Sequence, residues 1–510
     1  MGTRSNKVVF KPYIQNQIQL LPPSLDDLVA ANHPSRIVNE VIEKIDIRPI
    51  NRKYKGGGAS SYHPRLLLKV LVYGYLTNTY SSRKLEEQTR QNIYFMWLCG
   101  MKTPDHHTIN RFRSVKLSGI LKEIFSQIVL LLAQEGIVSL KEAVYTDGTK
   151  IESAANKYTF VWGKSIKTSK ERIKTQLDEL WKYAQGIAAE ELKDLSPSTF
   201  EQIDASKVKE TVAHIEKAIG DTPISKKVKQ KLNYAKKNWP ENLDKYQEQE
   251  KLLSGRNSYS KTDQDATFMR MKEDHMLNGQ LKPAYNWQIS TQNQFILNYS
   301  LHQNPTDTLT LKPHLEQYQA LYGFLPSAVV ADAGYGSDQN YQLLEQKEVA
   351  AYLKYNTFDR EQQNGISEFS GAALHYNPQQ DCLYCPMGQQ MNCIGKYTRQ
   401  TTSGYHQVIC RYQAANCQGC PMRGVCHKNK GNRIIEINHE LSRRKEKARQ
   451  LLGSEQGIKY RKKRPADVEP VFAQIKSNNG FRRFLTKGLS KTEVEIGLLS
   501  IAHNLKKWSA

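Results

Sequence analysis

The feature that most constrains this chain is a change of hydropathy period along it. Ala143–Ile151 has strand character, and residues 165–255 then switch to a Lys- and Glu-rich helical pattern with nearly balanced charge. Strand character returns at Tyr285–Ser290, where Trp287 and Ile289 alternate with polar residues, and at Phe295–Leu301. Thr291-Gln292-Asn293-Gln294 between them suits a hairpin turn. Helix and strand then alternate: helix Thr308–Tyr322 stopped by Gly323, apolar strand Ala328–Ala331, helix Asp338–Lys347, strand Ala350–Lys354. Hairpin-linked strands followed by helix-linked ones require a mixed sheet with helices, an α/β fold, and exclude a doubly wound Rossmann sheet. Whether Tyr158–Trp162 adds a strand stays open. No G-x-G-x-x-G follows a strand and no G-x-x-x-x-G-K-[ST] occurs, so nucleoside triphosphate use is not supported.

The flanks differ from this centre. Residues 1–135 form a helical N-terminal region, with a flexible joint at Gly56-Gly57-Gly58. Helical segments are expected from His63-Pro64, from Ser81-Ser82, after Pro104-Asp105, and over Ile120–Ala133. The third carries Arg111 and Arg113. Short helices ending in a basic one fit a helix-turn-helix-like DNA reader as well as they fit ordinary helical packing. The divisions that follow are 1–135, 140–164, 165–260 (the helical insertion), 261–360, a Cys-rich block over 375–432, and 440–510.

Charge identifies the partner class. The 510 residues carry 73 Lys and Arg against 50 Asp and Glu, a formal charge of +23. A polyanion is the expected partner, nucleic acid or an anionic membrane surface. No window offers about 18 consecutive apolar residues and no signal-peptide h-region is visible, so no membrane role and a cytoplasmic or nucleoid-associated protein are expected. Residues 441–510 hold 17 Lys and Arg against six Asp and Glu. Lys463, Arg464, Arg482 and Arg483 there flank one glutamate, Glu469, and read as phosphate contacts.

Three carboxylates stand out. Asp147 lies within the first strand, and Asp332 follows the apolar strand, ahead of Ala333-Gly334-Tyr335-Gly336. A polar residue at the carboxyl end of a buried strand is a common functional position. Asp338 is available to cap the next helix, which leaves Asp332 free for chemistry. Glu469 sits on a segment whose apolar face is Val468, Val471, Phe472 and Ile475, with Asp467 as the expected N-cap and Pro470 in the first turn. Lys476 is two turns further along the Glu469 face. Two Asp and a late Glu in a basic chain suit two hard divalent ions that clamp a phosphoryl transfer. Asp263 and Asp265 precede the hairpin strands and read more as turn and cap residues than as metal or DNA ligands.

Seven of the eight cysteines fall within 45 residues: Cys382, Cys385, Cys393, Cys410, Cys417, Cys420 and Cys426. Two C-x-x-C pairs in a chain with no secretion signal indicate structural Zn²⁺, and His427 is available to complete a second site. Reduced thiols in a zinc-free β-rich insertion are the alternative.

At these residues the chain resembles a DDE transposase of the IS4-like insertion-sequence group, most closely the IS1182 family. The resemblance spans almost the whole chain. It rests on the helical region around His63–Arg113, on Tyr145–Thr149, on Ala331–Tyr335, on the cysteine block and on Val468–Lys476. It implies an RNase H-like core with Asp147, Asp332 and Glu469 as the catalytic triad, holding two Mg²⁺ or Mn²⁺. It also implies Lys476 on a phosphate, and binding and strand transfer of terminal inverted repeats into target DNA by a homodimer. Glu469 and Lys476 obey the Tyr-x2-Arg-x3-Glu-x6-Lys signature of that group. Tyr460 and Arg464 are each one residue off, and Lys463 takes the arginine place counted from Tyr460. A transposase-derived DNA-binding protein without catalysis and a metal-dependent nuclease without strand transfer are the alternatives.

Overall fold

A computed structural model describes residues 24–54, 60–187, 203–220, 222–271 and 279–509. The expected joint at Gly56–Gly58 lies outside the described residues. Seven helices come first: α1 (Pro34–Lys44), α2 (Arg48–Asn51), α3 (Pro64–Leu76), α4 (Ser82–Gln91), α5 (Ile93–Leu98), α6 (His106–Arg111) and α7 (Leu121–Gln134). The expected starts hold: His63 and Asp105 accept backbone N–H groups as N-caps of α3 and α6, and Ser81 is the N-cap of α4.

Strand β1 (Val144–Glu152) opens the main sheet. The Tyr158–Trp162 question resolves as β2 (Phe160–Trp162), which pairs antiparallel with β3 (Ser258–Ser260). Between them run α8 (Gly163–Ile187), α9 (Ala205–Ile219) and α10 (Lys226–Leu253), around a separate core that includes Trp181 and Trp239. Strands β4 (Thr267–Arg270), β5 (Leu281–Gln292) and β6 (Phe295–His302) follow, then α11 (Leu311–Tyr322), β7 (Ala328–Ala331), α12 (Asp338–Gln346), β8 (Ala350–Leu353) and α13 (Phe358–Asn364). The β5–β6 turn is Asn293-Gln294, both at positive φ.

The sheet order is β4-β5-β1-β7-β8, with β6 also paired to β5. Strand β5 is antiparallel to β1, whereas β1, β7 and β8 are parallel, so the sheet is mixed as expected. A second, antiparallel sheet lies in the Cys-rich block, with Cys382, Cys393 and Cys410 on its strands: β9 (Tyr376–Asn377), β10 (Cys382–Tyr384), β11 (Gln390–Gln400), β12 (His406–Ala414) and β13 (Ile434–Ile437).

The chain returns to the main sheet through α14 (His439–Gly453), α15 (Glu455–Ala473) and α16 (Leu489–Trp508). Arg443 Nη2 lies 2.9 Å from Glu345 Oε2, and Arg444 pairs with Asp338, which ties α14 to α12. Asp338 is therefore not the cap of α12; Ser337 Oγ accepts the Asn340 N–H instead. Buried Asn504 of α16 bonds both backbone groups of Ile296, at 2.8 Å each. No described helix is long and apolar enough to cross a membrane.

Candidate active site

Register brings the first two carboxylates together. Strands β1 and β7 are parallel with Tyr145 beside Val330. Asp147 and Asp332 each lie two residues further on, so they occupy neighbouring positions on one face of the sheet. Asp147 is buried and Asp332 is partly exposed. Each has one oxygen engaged locally: Asp147 Oδ1 accepts the Gly148 N–H at 2.8 Å and Asp332 Oδ1 the Gly334 N–H at 2.9 Å. Their other oxygens face Arg464, whose Nη2 is 3.1 Å from Asp147 Oδ2 and 3.5 Å from Asp332 Oδ2.

Arg464 reaches this point because α15 lies across β1 on that face. Val468, Val471 and Ile475 are fully buried, the apolar face expected from the sequence. Tyr460 packs edge-on against Tyr145 and Tyr352, and Phe472 against Trp287. The helix start differs from expectation. It is capped at Ser454, whose Oγ accepts the Gly457 N–H at 3.0 Å, and it runs through Pro465 and Pro470. A mid-helix proline strips a carbonyl of its partner. For Pro470 that carbonyl belongs to Ala466, and it accepts Gln294 Nε2 at 2.9 Å instead. Asp467 is likewise not an N-cap. It is buried and accepts the Asn293 and Gln294 N–H groups at 2.9 and 3.0 Å, which clamps the β5–β6 turn to the helix.

Glu469 shares α15 with Arg464 but is exposed, on the solvent side of the helix, and makes no ion pair or hydrogen bond among the described residues. Lys476 is buried in a π-helical turn, Gln474–Asn478, that continues α15. As the side chains stand, no three His, Cys, Asp or Glu among the described residues converge on a point that holds one ion. Asp147 and Asp332 are thus together, and Glu469 does not complete with them a group that could hold an ion.

The expected DNA contacts divide. Arg111, Lys463 and Arg482 are exposed. Lys463 Nζ donates to Asn293 Oδ1 at 2.9 Å and lies over the Tyr145 ring. Arg483 donates to the Ser153 and Ala155 carbonyls. Arg113 is corrected: it is buried, and its guanidinium donates to Tyr75 Oη, the Tyr80 carbonyl and Asn110 Oδ1, so it holds the helical region together rather than facing DNA. Asp263 and Asp265 hold the start of α16, accepting the Gly488 and Leu489 N–H groups at 3.1 and 2.8 Å, as turn-and-cap residues do.

Sequence reasoning missed the polar layer on the other face of β1. Asp307 Oδ1 accepts Asn286 Nδ2 and Gln288 Nε2, each at 2.8 Å, and the Tyr335 hydroxyl donates to Gln288 Oε1. Burial pushes the Tyr335 phenol far up, and Asp307, Asp147 and Asp332 add to it. Gly148 is what permits this layer. A Cβ there would lie 2.1 Å from Gln288 Nε2 and 2.7 Å from Asp307 Oδ1. The signal was the alternation in β5, where Asn286, Gln288 and Ser290 resemble a solvent face but are buried.

Residues 384–509 match a family model described as "Transposase DDE domain", and residues 23–115 match one described as "Transposase domain (DUF772)". The first match contains Arg464, Glu469 and Lys476; Asp147 and Asp332 lie outside both. The two transposase domains indicate a transposase. No curated protein and no solved structure matches the chain.

Proposed function

We propose that the chain is a DDE transposase of the IS1182 type. It binds the terminal inverted repeats of an insertion sequence as a homodimer and catalyses strand cleavage and strand transfer into target DNA. The observation that carries this is the pairing of Asp147 and Asp332 in adjacent parallel strands, under an arginine of the helix that lies in the DDE-domain match. The sheet order and the antiparallel β5 support an RNase H-like core.

The donor set fits Mg²⁺ or Mn²⁺. Both carboxylates offer hard oxygens, and the Arg464 guanidinium already bridges them as a stand-in cation. Asp147 and Asp332 would hold the ions; Glu469, the third carboxylate of the resemblance, stands exposed on α15 and would join them only if that segment turned it toward the pair. When bound, the ions activate a water or a 3′-hydroxyl and neutralise charge in the in-line displacement. The chain's own residues orient the DNA. Exposed Lys463 and Arg482 hold phosphates without reading sequence, and Lys476 binds the phosphate beside the scissile one. Arg464, released from the carboxylates, gains a phosphate partner.

Asp332→Asn should abolish both end cleavage and the joining of precleaved ends, while gel-shift affinity for the ends is retained. Cleavage by the variant would sink the assignment. Cleavage without joining by the wild-type chain would make it a nuclease, and binding without either would make it a DNA-binding derivative.

A further inference from the structure

The seven clustered cysteines are not equivalent. Cys385, Cys417, Cys420 and Cys426 line one cavity beside β10 and β12, while Cys382, Cys393 and Cys410 do not. Two tight turns present the first three. Cys385 N–H donates to the Gln389 carbonyl and Gly388 N–H to the Cys385 carbonyl, each at 2.8 Å, with Gly388 at φ 75°. Cys417 and Cys420 flank Gln418-Gly419, with Gly419 at φ 71°. Both are knuckles of the kind that turn a sulfur and nearby amides toward one point.

The sulfurs also differ in what they bond. Cys382 Sγ donates to Gln380 Oε1 and Cys393 Sγ to the Gly395 carbonyl, and burial raises the Cys410 thiol. Cys417 and Cys426 Sγ instead accept. The Arg433 amide N–H reaches Cys417 at 3.4 Å and its Nη1 reaches Cys426 at 2.9 Å. In the same cavity both ring nitrogens of His427 are buried without a partner. Buried imidazole nitrogens are rarely left so, which marks a polar centre in that cavity.

We propose that Cys385, Cys417, Cys420 and Cys426 hold one structural Zn²⁺, with Arg433 and His427 as outer N–H donors. Four thiolates on Zn²⁺ leave two net negative charges, which a guanidinium and an imidazole N–H offset. The two knuckles line one cavity but their sulfurs do not yet converge on a point, so binding would require them to turn inward together. The site bridges β10–β11 to the loop between β12 and β13. It is independent of the phosphoryl chemistry, because a closed four-thiolate site has no open position.

The test uses the full chain purified without chelator. Elemental analysis should find one zinc per chain, and cobalt exchange should give a thiolate charge-transfer band with the intense visible bands of a tetrahedral site. Cys385→Ser, Cys417→Ser, Cys420→Ser and Cys426→Ser should each lose the zinc, whereas Cys382→Ser, Cys393→Ser, Cys410→Ser and His427→Ala keep it. Should the first four fail to fold, mercurial titration of the wild-type chain should release its zinc as four thiols react. A folded chain without zinc and without the cobalt–thiolate band would overturn the proposal. So would zinc loss in Cys393→Ser, Cys410→Ser or His427→Ala.

Discussion

At Arg464 one guanidinium faces two carboxylates, and the electrostatics of that trio set what the site binds in the absence of metal. A divalent ion must displace this cation before it occupies the same oxygens, so metal loading and arginine release are coupled. Arg464→Ala should therefore tighten Mn²⁺ binding to the DNA-free chain by about tenfold, a coupling of about 1.4 kcal/mol, as read by calorimetry. It should at the same time lower end cleavage. Unchanged Mn²⁺ affinity would mean that the guanidinium does not compete. Asp147 and Asp332 were legible in the sequence because strand ends and a Gly-rich turn expose polar residues in a recognisable way. Arg464 was less so, because its spacing to Glu469 departs from the family signature. Arg113 was misread because nothing local distinguishes a cation bound for DNA from one bonded to a neighbouring helix.

At the scale of elements, α15 joins site and scaffold. Asp467 and Pro470 argued for a helix start near residue 467, yet the helix runs on because the β5–β6 turn supplies the missing partners. Gln294 bonds the carbonyl that Pro470 frees, and Asp467 bonds the turn's amides. That exchange is tertiary, so local pattern could not reveal it. Asp467→Ala leaves two turn amides without their acceptor and should cost about 2–3 kcal/mol, seen as a lower thermal midpoint. It should also loosen the placement of Arg464. An unchanged midpoint would show that the clamp is dispensable. The segments that defined β1, β6–β8 and α12 were read to within a residue of their observed bounds, because each buries an apolar stripe that the sequence displays directly, whereas β5 extends beyond the expected Tyr285–Ser290 to Leu281–Gln292 because its polar residues are buried too.

Over the whole molecule, buried histidines make stability pH-dependent. Burial lowers the ring pKa of His302 and His503 to about 4, and holds that of His314 well below its ordinary 6.5. The unfolded chain then binds more protons below pH 6.5 than the folded one. Stability is full above that pH and falls as pH drops toward 4, by up to about 1.4 kcal/mol per pH unit for each histidine. The thermal midpoint should decline steadily from pH 6.5 to 4.5; a flat profile would contradict the buried neutral state. The basic excess acts on DNA affinity instead. Arg482→Ala, at an exposed position, should reduce the slope of log affinity against log salt by about one. An unchanged slope would remove Arg482 from the phosphate contacts.

The central claim is that Asp332 touches the metal that drives strand cleavage. Asp332→Cys tests it most directly, because a thiolate prefers softer ions than Mg²⁺. The account predicts no end cleavage in Mg²⁺, recovery in Mn²⁺ or Cd²⁺, and unchanged binding of the ends. Full cleavage by the variant in Mg²⁺ would contradict it.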